Sequence, residues 1–184
     1  MVVQKKTYTL AEFEAICELP ENRDRILELI EGEIVEKMPT NPYCSVLAAR
    51  IVQYMGMFVD EHDLGYVTGA DGGYNISEEN SFAPDVGFIS KTRQPELPHR
   101  GYNPIPPDLA VEVISPTDSY SDVSKKVAAY LRSGTQIVWV FDPETELVVV
   151  HTPDGSKTLG KDDTLGGGDV LPGFTLPINK IFRL

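Results

Sequence analysis

Apolar positions along this chain switch between a spacing of two and spacings of three and four, and these two periods separate strands from helices. RILELI and EIVEKM alternate on either side of Glu31-Gly32, which predicts a β-hairpin with Glu28 in its first strand. Ahead of it, Thr9 with Glu12 three residues on marks the start of a short helix through about residue 17, stopped by Pro20. Leu47, Ile51, Tyr54, Met55, Phe58 and Val59 recur at threes and fours and predict an amphipathic helix over residues 43–61, with Gly65 beyond its end. Strands are predicted over residues 66–76, interrupted by Gly72-Gly73, then over 82–89 and 108–115. A helix over 118–132, closed by Gly134, leads to strands over 136–141 and 147–151 joined by a turn at Asp142-Pro143. Residues 91–107, with Pro95, Pro98, Pro104, Pro106 and Pro107, read as an exposed loop placed to border a substrate. The tail reads as irregular through Gly166 to Gly168, then packs back through Phe174, Leu176, Ile178 and Ile181.

This order gives an α/β (α+β) chain, a central mixed β-sheet flanked by helices, with an N-terminal helix plus β-hairpin. The 184 residues suffice for one buried core, so a single domain over 1–184 is expected. The apolar runs are strand-sized and the N-terminus carries no signal-peptide core, which points to a cytoplasmic protein with no membrane partner. Cys17 and Cys44 lack CxxC spacing and are expected to stay unpaired. Of the histidines, His62, His99 and His151 show no metal-ligand spacing and read as surface or loop residues.

Charge changes the picture. A net charge of -12 counts against broad electrostatic capture of nucleic acid, although a bound divalent ion reverses the local sign of an acidic site.

The candidate chemistry begins with two acids inside apolar strands, Asp85 in FAPDVGFIS and Glu112 in DLAVEVIS. A carboxylate is costly in a sheet interior unless positive charge meets it, so two on neighbouring strands point to a bound cation. Strand alternation sets Asp85 with Ala83, Gly87 and Ile89, and Glu112 with Ala110 and Ile114. The small neighbours Ala83, Gly87 and Ala110 are expected to leave room for a hydrated ion and a phosphate. On the helix that follows, Val123, Val127, Tyr130 and Leu131 form the apolar stripe; Lys126 lies at its border and Lys125 on the far side. Lys126 is therefore the lysine positioned to reach the sheet. The structural alternatives are a buried ion pair between the acids and Lys126 or an arginine, a Glu28 that faces water, and a Lys126 that snorkels. Tyr130, Trp139 and Phe141 read as core, and Cys44 as an inert thiol.

Proline-aspartate, a strand-borne glutamate about 27 residues on and then a lysine resemble the PD-(D/E)xK nuclease superfamily. The closer resemblance is to its bacterial branch of mostly uncharacterised restriction-endonuclease-like proteins. ELIEGEIV, APDVGFIS, LAVEVISP, KKVAAYLRSG, IVWVFDP and the terminal LPGF carry it over nearly the whole chain. The resemblance implies a restriction-endonuclease-like fold and a metal-dependent DNA endonuclease. It makes Asp85 and Glu112 the metal-holding carboxylates, Glu28 a supporting acid, Lys126 the catalytic lysine and the Val113 carbonyl a further metal ligand. Val113-Ile114 follow Glu112, so the lysine of the parent motif is absent from its usual place and Lys126 on the next helix takes its role. Mg2+, or Mn2+, is the implied cofactor, DNA the substrate, and a homodimer is expected for duplex cutting because two strands need two sites. The alternative is a catalytically inactive interaction module that keeps the nuclease fold, which the isoelectric point of about 4.6 favours.

Overall fold

The computed structural model describes residues 6–116 and 118–183. Helix α1 (Leu10–Cys17) starts where Thr9 and Glu12 close a reciprocal capping box, and the turn Pro20–Asn22 ends that unit. Strands β1 (Leu27–Ile30) and β2 (Glu33–Glu36) form the hairpin, with Glu31 and Gly32 both at positive φ (50° and 79°) as a tight primed turn demands. Helix α2 (Pro42–Glu61), capped by Asn41, precedes β3 (Gly65–Thr68), β4 (Tyr74–Ser77), β5 (Asn80–Phe82), β6 (Val86–Ser90) and β7 (Leu109–Val113). Helix α3 (Tyr120–Arg132) crosses over to β8 (Ile137–Asp142), followed by β9 (Leu147–Thr152), β10 (Gly155–Leu159), β11 (Thr164–Gly167), β12 (Leu171–Pro177) and α4 (Asn179–Phe182).

Six strands in the order β10-β9-β8-β7-β6-β3 make the central sheet, mixed because β7 and β8 run parallel while every other neighbouring pair is antiparallel. One face of this sheet presents Val86, Phe88, Leu109, Val111, Val113, Trp139 and Phe141 to Leu47, Ile51, Met55 and Val59 of α2. Those four helix positions recur every four residues, which is why the pattern was so regular. The other face carries Ala110, Val138 and Val140 against Val127, Ala129 and Tyr130 of α3. The sheet therefore lies between two helices.

The N-terminal hairpin belongs to a second, four-stranded sheet ordered β2-β1-β5-β4. The segment predicted as one strand over 82–89 is in fact two, β5 in this second sheet and β6 in the central one, with Ala83-Pro84-Asp85 crossing between them. Pro84 has no N–H to give a ladder, so the strand breaks there. Likewise the strand expected over 66–76 divides into β3 and β4, which lie in different sheets. The tail is not irregular: β10 extends the central sheet and β11 pairs with β12, while Phe174, Leu176, Ile178 and Ile181 are buried as expected.

Candidate active site

Glu112 sits one residue from the C-terminal end of β7, on the face that α3 covers, because alternation sends Val111 and Val113 to the α2 side. Glu28 reaches the same region from β1. Leu27 and Leu29 turn toward Phe13, and Ile30, two positions from Glu28, packs against the cluster beneath α3. Asp85 does not lie within a strand. It is the last residue of the link between the sheets, and Val86 pairs with Val111, which brings the Asp85 carboxylate level with the end of β7. There its Oδ2 accepts the Val113 N–H at 2.7 Å. The N–H and C=O of one strand residue point to the same edge, so the Val113 carbonyl also faces the Asp85 side.

Two ammonium groups enter among these acids. Lys126 Nζ stands 2.8 Å from both Glu28 oxygens and 3.7 Å from Glu112 Oε1, with 13% of its side chain exposed. Lys126 leaves α3 at the border of its apolar stripe, as the sequence indicates, and its charge lies 5.5 Å over the Phe82 ring. Lys125 also lines this region but pairs with the exposed Glu31 and not with the buried acids. The second ammonium, Lys37, is one that sequence reasoning missed. It donates to Asp85 Oδ1 at 2.9 Å and to the Ala83 carbonyl at 2.7 Å. Lys37 follows a half-exposed edge strand, and no local pattern reveals that a link some 48 residues away comes to meet it.

Further bonds fix the acids. Glu28 Oε1 accepts the Ala83 N–H at 2.9 Å, and the Tyr130 hydroxyl donates to Glu112 Oε1 at 3.1 Å. Burial pushes the Glu112 carboxyl up to about 7; Lys126 opposes the shift and the negative charge of Asp85 adds to it. Burial alone would lower Lys126, but Glu112 and Glu28 hold it above the ordinary lysine range. Glu28 keeps that ammonium charged even when Glu112 takes up a proton. The Tyr130 hydroxyl is raised well above its usual range by burial and by Glu112, so it serves as a donor and not as a base.

These groups line a cleft of about 670 Å³ between the hairpin, the β7 end and α3. The room is at the cleft mouth and not beside the small residues. A Cβ on Gly87 would come within 2.8 Å of Tyr74 and Thr68 Oγ1, and Ala110 lies under the Tyr130 cluster, so aromatic rings fill the space expected for an ion. None of residues 91–107 lines the cleft, so the proline-rich loop does not border it. Eight carboxylates and three lysines line it among the described residues, and Glu33, Glu36, Asp118 and Asp122 are among its acids.

Among the described residues, no three Asp, Glu, His or Cys side chains form a ready-made cage for a metal. His62 and His99 are exposed and His151 is a half-buried residue of β9, each away from the cleft. Cys17 and Cys44 are free thiols, Cys44 buried. No described helix is long and apolar enough to cross a membrane.

A family model described as Uma2, "Putative restriction endonuclease", matches residues 10–179. Among solved structures, one described as a putative nuclease belonging to DUF820, from Anabaena variabilis, is similar at 25% identity with a TM-score of 0.80, covering 95% of this chain and 97% of its own. No curated protein matches the chain.

Proposed function

This chain belongs to the Uma2 family, and from that membership and the paired acids of the cleft we propose that it is a cation-dependent endonuclease hydrolysing phosphodiester bonds of DNA. The observation that carries this reading is the meeting of Asp85, Glu112 and the Lys126 ammonium at one cleft, where β7 ends and α3 begins. Ligand sites in α/β sheets favour the carboxyl ends of strands.

The donor chemistry fits a hard divalent ion. Asp85, Glu112 and the Val113 carbonyl supply oxygens only, and Mg2+ typically takes one or two carboxylates and completes its shell with water and phosphate, so no closed cage is required. When bound, the ion supplies a lowered pKa for water and charge stabilisation on the phosphate. The protein's own groups do the rest. Lys126, kept charged by Glu28, orients the attacking water and meets negative charge on the phosphoryl oxygens. Tyr130 holds Glu112 in place. Hydrolysis forms one P–O bond to water and breaks the bond to the 3' oxygen; the attacking water gives up a proton and the departing 3' oxygen takes one up, leaving a 5'-phosphate and a 3'-hydroxyl.

Supercoiled plasmid incubated with the protein and Mg2+ or Mn2+ tests this. Nicking or linearisation that stops with chelator is expected, and Asp85→Ala and Lys126→Met are expected to slow it by about 100-fold or more. An Asp85→Ala protein of equal purity that cuts as fast as the parent refutes the reading. A folded parent that never cuts favours the inactive interaction module, which the acidic cleft would also suit.

A further inference from the structure

The two ammonium groups that meet the buried acids of the cleft are placed differently. Lys126 has two acids, and Glu28 remains its partner whatever becomes of Glu112. Lys37 is bound to one carboxylate, Asp85, and otherwise to main-chain oxygens, Ala83 at 2.7 Å and Ala70 at 3.5 Å. Three acceptors meet the three N–H donors of this ammonium. Its side chain is 20% exposed and that of Asp85 15%, so water does little to screen the pair.

The Asp85 carboxylate is thus held from both sides, Oδ2 by the Val113 N–H and Oδ1 by Lys37. Only the second of these hands carries a full positive charge. We propose that Lys37 is the internal counter-ion of Asp85 and competes directly with a divalent cation for this carboxylate. The proposal rests on the reading of Asp85 as a cation-holding acid. Its consequence is specific to charge. A lysine that merely buttressed the link between the sheets would, on removal, loosen Asp85 and weaken cation binding. A competing ammonium does the opposite: its loss adds one unit of net negative charge where the cation must sit.

Calorimetric titration of the chelator-stripped protein with MnCl2 decides between these. Lys37→Met and Lys37→Gln are expected to lower the Mn2+ dissociation constant by about tenfold, a shift of about 1.4 kcal/mol, while lowering the thermal midpoint of the cation-free protein. Lys37→Arg, which keeps the charge, is expected to stay near the parent in both. The glutamine variant can still donate to Ala83, and it gives the same readout if the methionine variant does not fold. A parent that binds Mn2+ while the neutral variants bind it no tighter overturns the Lys37 assignment alone. Absence of Mn2+ binding by the parent and all variants at millimolar metal overturns the cation reading itself, and this proposal with it.

Discussion

At Glu112 burial raises the carboxyl pKa while the Lys126 charge lowers it, and its neighbours compensate only in part. A carboxyl that holds its proton more tightly in the folded chain than in the unfolded one stabilises the fold at low pH, and that contribution fades as pH rises toward the folded value of about 7. In chelator, the thermal midpoint is therefore expected to fall between about pH 5 and about pH 7, with Glu112→Gln flattening the slope. An equal slope in both proteins, followed by circular dichroism, would mean that Glu112 ionises freely. At this scale the sequence was informative where a charge interrupts an apolar run, although Asp85 falls in the link after Pro84 and not in a strand. Asp85 and Glu112 stand out for that reason, and Lys126 follows from helical geometry. Lys37 does not stand out, because its role depends on a contact between segments distant in sequence.

Elements whose signals are local were legible. The capping box of α1, the primed turn between β1 and β2 and the apolar stripes of α2 and α3 each reside within a few residues. Elements that depend on a partner were not. In β10, four of five residues are exposed, so no apolar alternation marks a strand whose pairing comes from β9. Pro84 did carry a usable signal, and reading it would have separated β5 from β6. The contact between the two sheets also corrects the expectation of space at Gly87. Tyr74 of β4 is buried and presses on β6 at that glycine, its hydroxyl bonded to Thr68. Gly87→Ala is expected to destabilise the fold by about 1–3 kcal/mol in urea unfolding, as overpacking does. A neutral or stabilising result would show that the sheets are not wedged together there.

The whole molecule carries a net charge of -12 and a cleft richer in carboxylates than in lysines, each of which already pairs with an acid. Such a surface does not collect phosphate by itself, since binding of that kind draws on free lysine and arginine. A cation at Asp85 and Glu112 would reverse the sign locally, which makes the ion the central requirement of this account. Its most direct test is the anomalous difference map of a crystal soaked in MnCl2. A single strong peak is expected at about 2–2.3 Å from oxygens of Asp85 and Glu112 and from the Val113 carbonyl, with Lys126 beside it and Lys37 drawn back from Asp85. Density that leaves both carboxylates on their lysines, with manganese elsewhere or absent at full soak concentration, would contradict it.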